Sequence, residues 1–267
     1  MGINTQHAGL SLADDLVADG KVHFKFEDAQ RRLGRSRAAT GNLLKRMLAA
    51  GLIDRVRHGH YVVRQLGVLG TPSVAEEVAL AVAAAFAGIP HRMAYRTALD
   101  ELDLIVHPSR SIQIASTKRI RAKTLSGRPL HIVKESDAMI GVGAVVCGES
   151  YVSDLDRALL DAARRPTLVG GAAVLAEAIV AAGENVDTAR IAQYAQKLRW
   201  ASAMRRIGSI ADALDVPGLA GRLRPIKHLT ADLDLEPGLS QAYAWRDTRW
   251  RLRWPVSVNE IQAVVHQ

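Results

Sequence analysis

The chain has 267 residues, which predicts two domains, and its 48% hydrophobic and 23% charged composition excludes an intrinsically disordered protein. Its formal net charge of +8 favours an anionic partner, with nucleic acid ranked before an anionic membrane surface. A single cysteine, Cys147, excludes an internal disulfide and zinc sites made of several cysteines, and no apolar run is long enough to span a bilayer. Since no signal peptide is visible, we expect a cytoplasmic protein with no membrane partner, no metal and no cofactor.

The first 66 residues predict a compact unit of three helices, a short strand and a hairpin. Ser11 is suited to cap a first helix that ends near Asp19. The sequence VHFKF (22–26) alternates apolar and polar residues, as a strand does. After two further helices, LIDRV and HYVV flank a His58-Gly59 turn and predict the two strands of a hairpin.

Two of these helices have the spacing of a helix–turn–helix motif. The second helix runs from Glu27 to Leu33 and stops at Gly34, which is suited to a left-handed C-terminal cap. Ser36 can cap the third helix, which extends to Ala50. Because the hairpin follows directly, the unit is predicted to be a winged helix–turn–helix whose third helix enters the major groove of DNA.

Basic residues are concentrated in this unit: between Ala29 and Arg64 there are nine Lys or Arg residues and one acid, Asp54. The residues predicted to contact DNA lie at the start of the third helix, on its polar face and in the hairpin: Arg35, Ser36, Arg37, Asn42, Lys45, Arg46, Arg55, Arg57, His58 and His60. Arg37 can make a bidentate contact with guanine, and Asn42 suits adenine. Phosphate contacts that do not read sequence are expected from Lys45, Arg46, Arg55 and Arg57.

Two plainer interpretations stand beside this one. An apolar stripe runs along residues 40–48 of the third helix, so the opposite face could be no more than the solvated side of a core helix. His58 and His60 could belong to a metal site, but no cysteine or group of three carboxylates stands near them in sequence. We therefore favour a DNA-contacting helix with a wing tip at these histidines.

A polar stretch containing Gly and Pro, QLGVLGTPS (65–73), separates this unit from the rest of the chain. We predict an α+β protein with a winged helix–turn–helix at 1–66, a linker at 67–73 and a larger mixed α/β domain at 74–267. The elements predicted in the larger domain are, in chain order, helices at 74–88 and 91–104, strands in RSIQIAS, RPLHIVKE and IGVGAVVCGES, helices from Ser153 and at 171–182, 187–199 and 200–214, and one strand with an apolar and a basic face in WRDTRWRLRWPVSVN.

The larger domain offers little catalytic chemistry, since it has no phosphate-binding glycine loop, no G-x-S-x-G and no H-E-x-x-H pattern. Asp154, Asp156 and Asp161 in SDLDRALLDAARRP could serve acid–base or metal chemistry, but structural roles are favoured. Asp154 occupies an N-cap position, and Asp156 lies near the positive end of the helix dipole. Asp161 is four residues from Arg157, the spacing of a helix ion pair. We therefore expect that the protein is not an enzyme.

Several short motifs together resemble one known family. They are the wing ending RVRHGHYVV, TALDELDL (97–104), YVSDLDRALLDAARRP (151–166) followed by Gly170-Gly171, and IAQYAQKLRWASAMRRIGSIADALDV (191–216). With them the chain resembles the AbiEi antitoxins, the transcriptional-regulator halves of abortive-infection type IV toxin–antitoxin systems. The motif residues of the antitoxin domain are Asp154, Arg157, Asp161, Arg205 and Arg206. Two positions depart from the pattern: Asp103 stands where a Gly is usual, and Ala158 where Thr is common.

The resemblance implies an antitoxin that represses its own operon by binding inverted repeats in the promoter. It also implies a functional partner, a nucleotidyltransferase-like toxin encoded by the neighbouring gene. In type IV systems the antitoxin opposes the toxin without a stable complex, and the second domain is needed for this effect. We expect a monomer in solution that pairs on double-stranded DNA, so that two copies on adjacent repeats block the polymerase.

Three alternatives remain open from the sequence. The protein could neutralise its toxin by direct contact, it could be a nucleic-acid enzyme that uses the aspartates of 154–161, or it could be a ligand-responsive repressor. No effector pocket can be read from the sequence in favour of the last. The basic segments 110–134 and 246–253 could extend the DNA footprint, meet another anionic partner, or be solvated faces.

Overall fold

Three helices and a three-stranded sheet form the N-terminal region of the computed structural model, which describes residues 3–19, 21, 23–57, 59–63, 74–225, 230–238 and 243–265. The elements of this region are α1 (Ile3–Ala18), β1 (His23–Lys25), α2 (Phe26–Leu33), α3 (Arg37–Ala49), β2 (Ile53–Arg57) and β3 (His60–Val63). The sheet is antiparallel, with β3 between β1 and β2. The helix–turn–helix order and the hairpin follow the sequence prediction.

The apolar stripe of α3 supplies much of the N-terminal core. Leu43, Leu44 and Met47 are almost completely buried and pack with residues of α1 and the sheet. Burying side chains of this size contributes about 1.5–3 kcal/mol each. The polar face of α3 is therefore held outward by the packing of the opposite face.

The first helix is longer than the sequence predicted, because α1 begins at Ile3 and Ser11 lies in its interior rather than at its N-cap. Tertiary packing explains the difference. Gly9 approaches α3 so closely that a Cβ at this position would lie 3.1 Å from Cγ of Met47. Contact with α3 thus supports the part of α1 that precedes Ser11. A capping residue in the local sequence gives no indication of this contact.

The larger region combines nine further helices with two sheets, within the described residues. Its helices are α4 (Val74–Ala85), α5 (Tyr95–Glu101), α6 (Asp137–Ile140), α7 (Leu155–Arg164), α8 (Pro166–Val169), α9 (Ala172–Ala182), α10 (Thr188–Lys197), α11 (Ala201–Ala213) and α12 (Val258–Val265). Its strands are β4 (His91–Met93), β5 (Ile112–Ser116), β6 (Thr124–Leu125), β7 (Arg128–Lys134), β8 (Ala144–Cys147), β9 (Ser150–Ser153), β10 (Leu233–Asp234), β11 (Trp245–Asp247) and β12 (Leu252–Trp254). Six strands form a mixed sheet in the order β6-β7-β5-β4-β9-β8, and the last three form a small sheet in the order β10-β12-β11.

Two predictions for this region are wrong in detail. The segment predicted as a helix over 91–104 begins with β4, because this strand pairs with β5 on one side and β9 on the other. The segment predicted as one strand at the C-terminal end is a hairpin of β11 and β12. In the first segment, pairing with distant strands decides a structure that the local pattern leaves ambiguous. In the second, a turn at 248–251 folds the segment back on itself.

Helix α7 lies at the centre of the larger core. Eight of its ten residues, from Asp156 to Ala163, are buried, and it packs against α5, α8, α9, α10, α11 and β9. A helix surrounded on all sides must bury its charged residues as well as its apolar ones. The ionic residues of this helix therefore need partners inside the protein.

The two regions meet along α4, which packs on β1, β2 and β3 of the N-terminal sheet and on β9 of the large sheet. Val62 of β3 belongs to the larger core, although its neighbours belong to the N-terminal one. The linker predicted at 67–73 lies outside the described residues, so the domain boundaries stay a prediction. Within the described ranges, no helix combines the length and the apolar character needed to cross a membrane.

Candidate nucleic-acid interface

The turn between α2 and α3 fixes the angle at which α3 is presented. Gly34 ends α2 with a left-handed backbone (φ 59°), and its N–H donates to the carbonyl oxygens of Gln30 and Arg31. Such a conformation favours glycine because it has no Cβ. Two residues later, Oγ of Ser36 accepts a hydrogen bond from the Ala39 N–H at 3.3 Å and caps α3. Both capping predictions are confirmed.

The polar face of α3 is open to solvent. The predicted contact residues of this part that are exposed are Arg35, Ser36, Arg37, Asn42, Lys45 and Arg46. The Arg37 guanidinium lies over the ring of Phe26, with Cζ 5.2 Å from the ring centroid. Nε of Arg46 donates to the Asn42 carbonyl oxygen at 3.2 Å, so this side chain follows its own helix.

These cations lack acidic partners. Within the part of the chain that the structure describes, no ion pair involves Arg35, Arg37, Lys45 or Arg46. The arginines of α2 differ, since Arg31 pairs with Asp28 and Arg32 with Asp19. The positive potential of the unit is therefore concentrated at α3, where anionic groups of a ligand can approach it.

The wing is the hairpin of β2 and β3, whose register shifts between Arg55 and Arg57. Arg55 is exposed, while the side chain of Arg57 and all of His58 lie outside the described residues. His60 is half-buried, and its Nδ1 lies 3.1 Å from Nε2 of His23, with the two rings stacked. His60 is thus engaged within the sheet through His23, and its contact with DNA stays a prediction.

A basic loop of the larger region lies beside this wing. The loop joins β5 to β6 and carries Lys118, Arg119, Arg121 and Lys123, all of them exposed. Strand β6 contacts β2 of the wing, so the loop that leads into β6 is brought close to the wing. Among the described residues none of the four loop cations forms an ion pair. Among the described residues, cations without ion pairs therefore lie both at α3 and in this loop beside the wing.

The motif residues of α7 are not on a binding surface. Arg157 and Asp161 are fully buried and form the predicted (i, i+4) ion pair, with Nε 2.9 Å from Oδ1. Arg92 of β4 donates to Asp161 at 3.0 Å, and both arginines donate to Glu135 at 3.0–3.2 Å. Burial raises the pKa of Glu135, and the Arg92 guanidinium opposes this shift. The result is a neutral network of two arginines and two carboxylates that joins α7 to the sheet.

The three aspartates that suggested an enzyme have separate partners. Oδ1 of Asp154 caps α7 by accepting from the Arg157 N–H at 2.8 Å, as predicted, and Oδ2 accepts from the Tyr194 hydroxyl at 2.9 Å. Asp156 is buried and pairs with Arg190 of α10. Asp161 belongs to the network around Arg157. Among the described residues, no group of three His, Cys, Asp or Glu side chains is placed to hold a metal ion.

Arg205 and Arg206 of α11 bind main-chain carbonyls. Nε of Arg205 donates to the carbonyl oxygen of Trp250 at 2.8 Å, next to the C-terminal hairpin. Arg206 is buried and donates to the carbonyl oxygens of Ala163 at 3.0 Å and of Leu235 at 2.9 Å. Burial lowers the pKa of Arg206 to about 10. Both side chains therefore connect elements within the larger region.

The second basic segment, 246–253, is neutralised. Its cations are paired as follows: Arg246 with Asp232, Arg249 with Asp212, Arg251 with Asp232 and Arg253 with Asp234. Trp250 of this segment and Trp254 directly after it are fully buried. The segment thus combines ion-paired arginines with buried tryptophan side chains, in contrast to the basic loop.

Several residues of these sites were not found from the sequence. Phe26 supports Arg37, and Arg92 and Glu135 complete the network of α7, but no local pattern links these residues to their partners. At Asp103, where the family usually has Gly, the backbone is left-handed (φ 54°). The usual glycine at this position was a sequence signal for that backbone conformation. Asp tolerates this conformation better than most residues other than Gly and Asn, which explains why the departure is accommodated.

The N-terminal geometry defines a winged helix–turn–helix within an α+β protein. The sequence model of a family described as "Transcriptional regulator, AbiEi antitoxin" matches residues 11–64, which extend from within α1 to the end of the wing. The resemblance predicted from the sequence is thus confirmed over residues 11–64, which are similar to the AbiEi antitoxin regulators. This match supports a role as a toxin–antitoxin regulator.

Wider comparisons add information about the fold. None of the curated proteins matches the sequence significantly. The chain is similar to the crystal structure of the RV2827C protein from Mycobacterium tuberculosis, with a TM-score of 0.72 and 16% sequence identity. The similarity covers 98% of this chain and 95% of the other. At this identity it shows that the two proteins share a fold over nearly their whole length.

Proposed function

We propose that the protein is the antitoxin of a type IV toxin–antitoxin system and represses its own operon by binding inverted repeats in the promoter. The observation that carries the proposal is the exposed face of α3, whose three cations, together with Arg35 in the preceding turn, lack acidic partners among the described residues. A 13-residue helix fits the major groove, about 12 Å wide, with its N-terminal residues nearest the bases. In this arrangement Arg37 reads guanine, Asn42 reads adenine, and Lys45 and Arg46 contact phosphates.

The basic loop extends the DNA footprint beyond the wing. Strand β6 contacts β2 of the wing, and phosphates beside the wing can reach the exposed cations directly before β6, which are Lys118, Arg119, Arg121 and Lys123. Each phosphate that a cation neutralises releases counterions, which steepens the salt dependence of binding by about 0.9 per contact. The paired arginines of 246–253 are excluded from this role because their charge is already compensated.

The proposal is tested by titrating the protein's own promoter and a scrambled duplex at several salt concentrations. Wild type should prefer the promoter, and replacing the four loop cations by alanine should flatten the salt dependence while preserving that preference. The control is Arg246→Ala with Arg249→Ala, which removes two exposed cations that are paired with Asp232 and Asp212. Equal affinity for both duplexes would overturn promoter recognition, and equal salt slopes for the loop variant and wild type would remove the loop from the footprint.

We assign the antitoxin role to the larger region, and the toxin that it opposes is a nucleotidyltransferase-like protein. We expect the protein to counteract this toxin without a stable complex, as a non-enzymatic cytoplasmic factor. Co-expression should restore growth of cells that carry the neighbouring toxin gene, while the two proteins elute separately in gel filtration. A stable complex would instead favour neutralisation by direct contact, and loss of rescue in a folded Asp154→Asn variant that still binds DNA would favour an enzyme.

A further inference from the structure

An open cavity of about 550 Å³ lies between the end of α4, the start of β4 and the β8–β9 hairpin. Its apolar lining includes Phe86 and Ile140, and its polar lining consists of His91, Glu149 and Tyr151. Cavities of roughly 300–1,000 Å³ with mostly apolar walls and a few polar groups are typical of small-molecule sites. The residues predicted to contact DNA do not line this cavity.

Three aromatic rings pack together at one side of the cavity, where Tyr151 is exposed, His91 is half-buried and Phe86 is fully buried. The rings of Phe86 and His91 are stacked with centroids 5.1 Å apart, and Tyr151 meets His91 edge-on at 6.2 Å. Nδ1 of His91 donates to the Ile89 carbonyl oxygen at 2.7 Å, which leaves Nε2 to accept from the Ser150 hydroxyl at 3.0 Å. Burial lowers the pKa of His91, so its ring stays neutral and adds no positive charge to the cavity.

The charge of the cavity is opposite to that of the chain. Glu149 is exposed at the cavity wall, and none of the described lining residues is Lys or Arg, in a protein of net charge +8. Aromatic faces attract cations through their electron-rich surfaces, and a neighbouring carboxylate adds a direct ionic contact. The combination selects against anionic ligands and in favour of cationic ones.

We propose that this cavity binds a small organic cation with an apolar body, of the aryl-alkylammonium class. The ammonium group meets Glu149 and the ring of Tyr151, and the apolar body lies against the accessible side chains of Ile89 and Pro90. None of these side chains belongs to the buried network of α7.

The position of α4 gives such a ligand a route to the DNA-binding unit. Residue Ala83 of α4 lines the cavity, while the same helix packs on all three strands of the N-terminal sheet. A ligand that shifts the end of α4 therefore changes the placement of the wing. This second step depends on the proposed function, whereas the binding site itself does not.

The site is tested by ligand-observed NMR titration of the full chain with three probes of similar shape. They are 2-phenylethylammonium, 2-phenylethanol and phenylacetate. The ammonium compound should bind with a millimolar or lower Kd, the alcohol more weakly, and the carboxylate not at all. Failure of the ammonium probe to bind, or equal binding of all three, would overturn the proposal.

Three variants sharpen the test. Glu149→Gln should weaken ammonium binding about two- to fivefold, as for an exposed ion pair, while the exposed Asp137→Asn, outside the cavity, should not change it. Gly141→Phe should abolish binding, because Gly141 lines the cavity with an ordinary backbone (φ −81°) and no atom lies within 4 Å of its Cβ position. Unchanged binding in Gly141→Phe, with an unchanged unfolding midpoint, would overturn the site.

The coupling is tested separately by repeating the promoter titration with saturating 2-phenylethylammonium. A shift in promoter affinity that Gly141→Phe removes supports the coupling through α4. Probe binding with no shift overturns the coupling and leaves the site in place. If the protein does not bind its promoter at all, the proposed function fails, but the NMR titration still decides the site.

Discussion

Arginine near the start of a helix has opposite roles in α3 and α7. Arg37 lies over the ring of Phe26, at 5.2 Å, and Arg157 lies over the ring of Trp200, at 4.6 Å. The first is exposed and has no carboxylate partner in the described structure, whereas the second is fully buried between two carboxylates. The stacking is shared, so the neighbouring charges decide whether an arginine is available to a ligand or fixed within the fold.

The largest effect is expected from removing the buried member of this pair. Arg157→Met leaves Asp161 and Glu135 with Arg92 as their one remaining cation among the described residues, so one of the two buried carboxylates loses its compensating charge. Breaking a buried ion pair in this way costs about 3–5 kcal/mol. We expect the free energy of unfolding, measured by chemical denaturation, to fall by that amount. The matched control is Arg164→Met, which lies over the same Trp200 from an exposed position and should cost less than about 1 kcal/mol. Equal costs for the two variants would contradict a buried network.

Removing the exposed member should alter recognition rather than stability. Arg37→Ala loses a base contact worth about 1–3 kcal/mol, so affinity for the promoter should fall by roughly 5- to 150-fold. Affinity for random DNA should change little, and the unfolding midpoint should stay near that of wild type. Titrations at one fixed salt concentration measure both affinities. A parallel loss on promoter and random DNA would mean that Arg37 contacts phosphate instead of a base.

A smaller and less selective effect is expected from Lys45 at the middle of the same helix. Lys45→Ala should weaken binding to all sequences alike and lower the slope of log affinity against log salt by about 1. Arg246→Ala serves as the control, because its guanidinium is paired with Asp232 at 2.9 Å. An equal change of slope in the two variants would erase the distinction between paired and unpaired cations.

The smallest effect concerns the support of Arg37 by Phe26. Phe26→Leu keeps an apolar residue at the start of α2 but removes a cation–π contact worth about 0.5–1 kcal/mol at an exposed site. Promoter affinity should fall by roughly two- to fivefold, and the loss should disappear when Arg37 is already alanine. A double-mutant cycle measures this coupling. Additive losses would show that Phe26 acts on DNA binding independently of Arg37.

Features that depend on neighbours in sequence could be predicted. The capping of α3 by Ser36, the cap of α2 at Gly34 and the Arg157–Asp161 pair each involve residues at most four positions apart. Their hydrogen bonds follow from helix geometry, which the sequence specifies directly. The helix–turn–helix order of α2 and α3 and the β2–β3 hairpin were predictable because these elements are neighbours in sequence, whereas β1 pairs with β3 from a distant part of the chain.

Features that depend on distant partners could not be predicted. Arg92 and Glu135 reach Asp161 from other elements, and strand β4 exists because β5 and β9 flank it. The run of arginines in 246–253 indicated a basic face, but Asp232 and Asp234 neutralise much of it from another strand. Counting charges along the sequence gives a positive sign both to this segment and to the basic loop. The two differ in the acidic partners that the fold brings to the first of them.

The close contact between Gly208 and Trp250 determines where this protein can be shortened. A Cβ at Gly208 would overlap the indole ring of Trp250, so α11 is shaped to receive a side chain from the C-terminal hairpin. Arg205 also donates to the carbonyl of that residue. A chain ending before Trp245 would therefore expose one side of α11 and leave Arg205 without its acceptor there. The last two dozen residues thus support the helices at 191–216. A truncated protein should therefore retain both segments or lack both.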